Sequence, residues 1–292
     1  MMDAAINGVL TSLDPHTVYL NPAHFHRFTA IMDGTAYGIG IAFEIIEGLP
    51  TVISVVPGGP AANKNIHTGD ILVKVNDEFV SNKTEPELRL LLSGDKGSEV
   101  KLTLKKFLNE EEFAVHIERD EIPLRSINYY FLLKSIFGYV KIDQFSKTVP
   151  DELENVLTKL DKMGMACLIL DLRGNAGGSL QSAVNLVDMF IAEGKLIMST
   201  KGRKADANET YYASDEDKQP DYPMIVLIDR GSASASEIVA GALQEHDRAL
   251  IVGTNSFGKG LVQGTFLLEN GGAILMTIAR YYTPTGRLIQ RE

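Results

Sequence analysis

The chain has 292 residues, 45% of them hydrophobic, and a formal net charge of −10. Such a length and apolar content accommodate about two domains with real cores and exclude a disordered chain, while an acidic balance without a basic stripe argues against nucleic acid as the main partner. A single cysteine, Cys167, rules out an internal disulfide, and the six histidines show no metal-ligand spacing, so no metal or cofactor is expected.

The first segment, MMDAAINGVLTSL, reads as a helix with Ala4, Ala5, Val9, Leu10 and Leu13 apolar. No charged leader or long apolar run precedes it, so neither a signal peptide nor a membrane span is expected. Its abrupt start, and the equally abrupt end at TPTGRLIQRE, read as a trimmed chain, and any export signal could have been lost with the removed N-terminus. Asp14-Pro15 ends the helix in a turn, and His16 reads as a hydrogen-bonding group of that turn and not as a catalytic one.

A region of short strands follows. Tyr37-Gly38-Ile39-Gly40-Ile41 opens it, Thr51–Val56, Gly69–Val75 and Val100–Leu104 have strand patterns, and Glu85–Leu92 places Leu88, Leu91 and Leu92 on one helical face. With Pro57-Gly58-Gly59-Pro60-Ala61-Ala62 and Thr68-Gly69-Asp70, this order resembles a PDZ domain. The resemblance implies that Tyr37, Gly38, Ile39, Gly40 and Ile41 form a carboxylate-binding loop whose glycines free successive N–H groups. A ligand strand would add beside Ile39-Gly40-Ile41, its last side chain in an apolar pocket facing the Leu88 helix. Lys64-Asn65 and Ser93-Gly94 depart from the usual Ala-Gly and Arg-Gly, so regulation through that arginine is not carried over.

After Glu121-Ile122-Pro123 strands alternate with helices. Phe137–Ile142 is a strand, a helix after Pro150 carries Leu153, Val156, Leu157 and Leu160 on one face, and Ala166–Leu170 is a buried strand in which Cys167 reads as a packed, inert thiol. Repeated strand, crossover helix and strand imply a largely parallel sheet with its site at the strands' C-terminal ends. Two loops should meet there. One is Asp171-Leu172-Arg173-Gly174-Asn175-Ala176-Gly177-Gly178, whose paired glycines expose N–H donors of the kind an oxyanion hole needs, with Asp171 and Arg173 bracing it. The other starts at Gly231, after the strand Met224–Ile228, and leads into a helix with Ile238, Val239, Ala242 and Leu243 at helical spacing.

Ser234 stands at that strand-to-helix turn, where unpaired N–H groups and the positive end of the helix dipole would stabilise an alkoxide or an oxyanion. Lys259 lies between Gly258 and Gly260 with little to solvate its ammonium; desolvation lowers a lysine pKa from about 10.4 toward roughly 7 to 8, the range of a general base. The stretch GSASASEIVAGALQ, then Arg248-Ala249, Phe257-Gly258-Lys259-Gly260 and Val262-Gln263, resembles the carboxyl-terminal processing peptidases, or tail-specific proteases. The resemblance implies a serine endopeptidase with Ser234 as nucleophile, Lys259 as base, Gln263 positioning the lysine, and the Gly178 N–H, less firmly the Gly177 N–H, joining that of Ala235 in the oxyanion hole. LDPHTVY at 13–19 resembles the segment before the family's PDZ module, and Ala176 replaces the proline of the family's DLRGNPGG.

The expected fold is α/β, α+β overall: a helical segment over 1–35, a PDZ domain inserted at 36–119, and a peptidase core of ββα and βαβ units over 120–292. Lys201–Tyr222 is polar and reads as an exposed hairpin or flap, or as a solvated insertion. Three motif matches are set aside. Gly253–Lys259 fits a phosphate loop but has Gly260 where a hydroxyl should bind magnesium; Ser93-Gly94-Asp95-Lys96 fits S-x-x-K in a turn; and His246 lies about 18 Å along a helix from Ser234. The implied partners are polypeptides with free C-termini, with a homo-oligomer or an activating partner left open, and the implied location is the bacterial cell envelope. The rival expectation is a PDZ peptide-binding protein on a catalytically idle peptidase scaffold.

Overall fold

The computed structural model describes residues 2–214 and 219–291. The chain forms two compact units, one of residues 1–34 with 125–292 and one of residues 35–124 inserted into it in sequence.

The first unit opens with α1 (Met2–Leu10), β1 (Val18–Leu20) and α2 (Pro22–Asp33). Met1 and the side chains through Ala4 of the expected first helix lie outside the described residues. Helix α2 has local start and stop signals. The Asn21 side chain accepts from His24 N, Pro22 follows it, and Gly34 at φ 74° closes the helix.

The second unit contains β2 (Thr35–Gly38), β3 (Ile41–Ile46), β4 (Leu49–Val55), β5 (Ile71–Val75), β6 (Glu78–Phe79), α3 (Glu85–Leu92), β7 (Glu99–Lys105), β8 (Glu112–Glu118) and β9 (Asp120–Pro123). Strands β2 and β9 pair antiparallel where the chain enters and leaves. The main sheet runs β3-β4-β5-β7-β8, with β6 on β5, so β3 is an edge strand. Its hairpin to β4 turns at Glu47 and Gly48, both at positive φ, which suits the right-handed twist of the paired strands. Phe43, Val52, Leu72, Leu88, Leu102 and Leu104 pack into one core. Arg119 is buried against that core and donates from Nε and Nη2 to the carbonyls of Leu92 and Leu91, fixing the end of α3.

The first unit resumes with β10 (Tyr129–Leu133), β11 (Phe137–Lys141), α4 (Val149–Lys162), β12 (Cys167–Asp171), α5 (Leu180–Asp188), β13 (Leu196–Gly202), β14 (Thr210–Tyr212), β15 (Met224–Ile228), α6 (Ala235–Glu245), β16 (Leu250–Gly253), β17 (Leu261–Leu267) and β18 (Ala273–Tyr282). One sheet runs β10-β11-β12-β15-β16. All its pairings after the β10-β11 hairpin are parallel, as expected from the sequence. Leu153, Leu157 and Leu160 of α4 and Val239 and Leu243 of α6 are fully buried in the same core as Leu168, Leu170 and Val226. Cys167 is only partly buried, so its thiol is less enclosed than the apolar run implied.

The second sheet of this unit is antiparallel. It joins β1, β18, β13 and β14, with β17 on β18. Apart from the hairpin expected after Lys201, none of its pairings is legible in the sequence. The polar stretch after Lys201 begins as a hairpin between β13 and β14, and its residues 215–218 lie outside the described residues.

Candidate active site

Strands β12 and β15 are parallel neighbours with Asp171 opposite Leu227, so the loops leaving them start side by side. Backbone and side-chain bonds then close one on the other. Ser232 Oγ donates to the Leu172 carbonyl at 2.8 Å, Ala233 N to the Asn175 carbonyl at 3.0 Å, and Ser236 Oγ to that same carbonyl at 2.9 Å. Two of the three serines are thereby buried and used in bracing, whereas Ser234 between them is partly exposed. Asp171 receives Arg173 Nη2 at 2.6 Å and the Tyr139 hydroxyl at 2.6 Å, the bracing role expected of the Asp171–Arg173 pair.

Ser234 is the N-cap of α6 and has φ 53° and ψ −112°, a backbone region costly for a residue with a Cβ. The surroundings hold it there. Its N–H donates to Glu237 Oε2 at 2.8 Å, and its carbonyl accepts from Glu237 N at 2.8 Å and Ile238 N at 3.0 Å. Helix α6 is buried through Ala235–Leu243, including Ser236 and Glu237.

Glu237 extends that hold to the lysine loop. Its Oε2 also accepts the Lys259 N–H at 2.9 Å, while its Oε1 accepts Gly258 N and Ser256 Oγ, each at 2.7 Å. The buried Tyr281 hydroxyl lies 2.5 Å from the Lys259 carbonyl and 3.1 Å from the Ser234 carbonyl, so its single proton serves one while the oxygen abuts both. Burial also raises the Tyr281 pKa, which keeps the phenol neutral as a donor. Sequence reading missed both residues. Glu237 did leave a signal, the S-x-x-E spacing from Ser234 at a helix start. Tyr281 left none.

The glycines around Lys259 are explained by what lies against them. A Cβ at Gly260 would sit 2.5 Å from Gln290 N, and one at Gly258 would sit 2.6 Å from the Arg291 side chain. Lys259 is half-buried and its Nζ donates to Gln263 Oε1 at 2.9 Å. Burial lowers its pKa, and the negative charge of Asp14 opposes that shift in part. Among the described residues the ammonium has no hydrogen bond to the Ser234 hydroxyl.

Gln263 is fixed from the far end of the chain. Its Nε2 donates to the His16 carbonyl at 2.7 Å. The turn that presents this carbonyl is wound around Asp14, whose Oδ1 accepts His16 N at 2.8 Å, Thr17 N at 3.0 Å and Thr277 Oγ1 at 3.1 Å. Burial acts to raise the Asp14 pKa, but the bonds from Thr17, His16 and Thr277 outweigh it and hold the carboxyl below its ordinary value. His16 therefore contributes through its backbone.

Gly177 packs directly on the serine. With φ 98°, it has room for no side chain, since a Cβ there would meet Ala233 O at 2.7 Å, Ser234 Cβ at 2.8 Å and Ala235 N at 2.9 Å. Its own N–H donates to Asn175 Oδ1 at 2.8 Å, which engages it within the loop. Ala235 is the first residue of α6, where an N–H has no acceptor inside the helix.

In the inserted unit, Tyr37 and Gly38 end β2, Ile39 and Gly40 form the connection, and Ile41 starts the edge strand β3. The connection is pinned by Ala61 N donating to the Ile39 carbonyl at 2.9 Å and Val56 N to the Gly40 carbonyl at 2.8 Å. Gly40 takes φ 75°. Leu88 is completely buried in the core of this unit, so its side chain offers no free contact surface to a ligand.

An edge strand and a helix flanking such a loop are the parts of a PDZ domain, and the PDZ sequence pattern matches residues 38–117. The pattern of peptidase family S41 matches residues 136–292, and the chain belongs to that family. It is 37% identical to the carboxy-terminal-processing protease of Bartonella bacilliformis over 99% of this chain and 67% of that protein. It is 31% identical to the carboxy-terminal processing protease CtpA of Bacillus subtilis, over 100% of this chain and 62% of that protein. Among solved structures, the photosystem II D1 C-terminal processing protease superposes with a TM-score of 0.55 at 29% identity, covering 98% of this chain and 78% of that one. The chain thus spans about three fifths of the length of curated relatives such as CtpA.

Proposed function

We propose that this protein is a serine endopeptidase that recognises polypeptide C-termini through its PDZ domain and cleaves peptide bonds with a Ser234–Lys259 dyad. The observation that carries the reading is the joint anchoring of Ser234 and Lys259 on one Glu237 oxygen, with Lys259 held below its ordinary pKa by burial. A neutral Lys259 amine takes the Ser234 proton as Oγ adds to the scissile carbonyl. The N–H groups of Ala235 and Gly178 receive the oxyanion; the Gly177 amide, engaged by Asn175, is the weaker candidate. The tetrahedral adduct collapses, the leaving amine takes the proton from the Lys259 ammonium, and the acyl group stays on Ser234. Water, deprotonated by Lys259, then releases it.

The edge strand β3 and the Ile39-Gly40 connection before it support capture of a free carboxylate by strand addition. Gln263 keeps Lys259 in place through its bond to the His16 carbonyl. Such an enzyme would act at the bacterial cell envelope, which fractionation of cells producing the full protein would test.

One observation favours the rival reading of an idle or partner-regulated scaffold: the Lys259 hydrogen bond goes to Gln263 and not to Ser234. Labelling with a fluorophosphonate and cleavage of a peptide with a free C-terminus separate the two. Labelling and cleavage that both vanish in Ser234→Ala are expected. Undiminished cleavage by Ser234→Ala would rule out the dyad, and a wild-type protein inert to both probes would favour the idle scaffold.

A further inference from the structure

An open groove of about 500 Å³ in the first unit is lined by Lys201, Arg203, Arg280 and Arg291, with Asp14 and His16 on its wall. Its charge runs against that of the protein, which is −10 overall. Among the described residues Asp14 is the one carboxylate of the lining, and its oxygens already accept from Thr17, His16 and Thr277. Among the described residues, none of the four cations has an ion pair with Asp or Glu. Lys201 makes a cation–π contact, 4.9 Å from the centre of the Tyr282 ring.

The placement of two of them is informative. Lys201 on β13 and Arg280 on β18 are register partners in an antiparallel pair, and both side chains face the groove. Like charges directly opposite on one face destabilise a sheet unless an anion lies between them. The groove also adjoins the candidate catalytic loops. Arg291 N donates to the Gly258 carbonyl at 3.0 Å, and the Asp14–His16 turn holds Gln263.

We propose that this groove receives an acidic segment of the polypeptide substrate, with aspartate or glutamate carboxylates lying over Lys201, Arg203 and Arg280. This rests on the peptidase reading above, which it deepens by naming a substrate class. Carboxylate contacts to exposed cations are individually weak and screened by salt, so selectivity here comes from several acting together at low ionic strength.

The test uses two peptides alike except that the glutamates of one are glutamines in the other. Binding of each to Ser234→Ala is measured by calorimetry, and cleavage of each by the wild-type chain as kcat/KM. The glutamate peptide is expected to be favoured by roughly fivefold to tenfold in both at low salt, with the ratio falling toward 1 near 0.5 M salt. Arg203→Glu and Arg280→Glu, each checked for an unchanged melting temperature, are expected to bring the low-salt ratio to 1 or below. Equal binding of the two peptides, or a preference that survives both reversals, would overturn the proposal and leave the groove to another part of the chain or a second copy. If neither peptide is cleaved, the peptidase reading fails on that arm while the binding ratio still decides the groove.

Discussion

Ser234 and Lys259 donate their backbone N–H groups to the same atom, Oε2 of Glu237, at 2.8 and 2.9 Å. The nucleophile and base candidates are therefore positioned by one buried carboxylate, whose other oxygen holds Gly258 and Ser256. Glu237→Ala would leave several buried N–H groups unpaired, each costing about 1–3 kcal/mol. A loss of stability of roughly 3 kcal/mol and a fall in kcat of at least about 100-fold are expected. Glu237→Gln keeps one acceptor oxygen and should retain more of both. Thermal melts with peptide cleavage check this, and full activity of a folded Glu237→Ala would show that the shared anchor has no part in the chemistry.

Burial holds Lys259 below the ordinary lysine value, against a smaller opposing pull from Asp14. Cleavage should therefore rise as pH climbs through the folded-state pKa and be lost below it, where the amine is protonated. The same shift sets a stability trend. Because the folded pKa lies below the unfolded one, the native state is least favoured below the folded value and gains stability as pH rises from it toward the unfolded value. Lys259→Met removes the buried charge. It should lower kcat by at least about 1,000-fold yet melt higher than the wild type at pH below the folded pKa, with the difference shrinking as pH rises. Scanning calorimetry across pH reads the second effect, and a variant that melts lower at acid pH would contradict it.

The Asp14 turn acts on the lysine by charge and by shape. Asp14→Asn keeps an oxygen for His16 N and Thr17 N but removes the negative charge that opposes the Lys259 shift. The Lys259 pKa should fall further, so the acid limb of the pH–rate profile should move to lower pH with little change in the plateau. Gln263→Ala, which breaks the link to His16, should instead lower the plateau. A profile for Asp14→Asn that does not move would mean that the turn acts through its backbone alone.

Periodicity in the sequence revealed the elements whose faces are buried locally. Leu153, Val156, Leu157 and Leu160 lie on the buried face of α4, and Met224–Ile228 is a core strand because its apolar run is continuous. The motif residues were legible too, since Ser234, Gly177 and Lys259 sit in short, distinctive strings. What joins them was not. Gln263 and His16 are 247 residues apart, and their bond uses a backbone carbonyl that every residue type offers. Tyr281 likewise acts on two carbonyls, so nothing in the composition of its strand marks it. The pairing of β17 with β18 was missed for a related reason: β18 buries Ala273, Leu275, Ala279 and Tyr281 on one face but carries Ile274, Met276 and Ile278 on the other, so its alternation does not show in residue type, and β17 leaves Phe266 and Leu267 exposed.

Gly177 makes the close packing of the two loops testable at a single atom. A methyl group there would lie 2.7 Å from the Ala233 carbonyl oxygen and 2.8 Å from Ser234 Cβ, and the φ of 98° would be strained as well. Neither neighbour can yield without moving the serine, because both belong to the braced turn before α6. Gly177→Ala should cost about 1–3 kcal/mol of stability through overpacking and lower kcat by roughly 100-fold through displacement of Ser234. Gly164→Ala separates strain from displacement: Gly164 has a similar φ of 94° with nothing within 4 Å of the added Cβ. That control should lose stability while keeping kcat. Comparable kcat values for the two variants would mean that contact between the loops does not position the nucleophile.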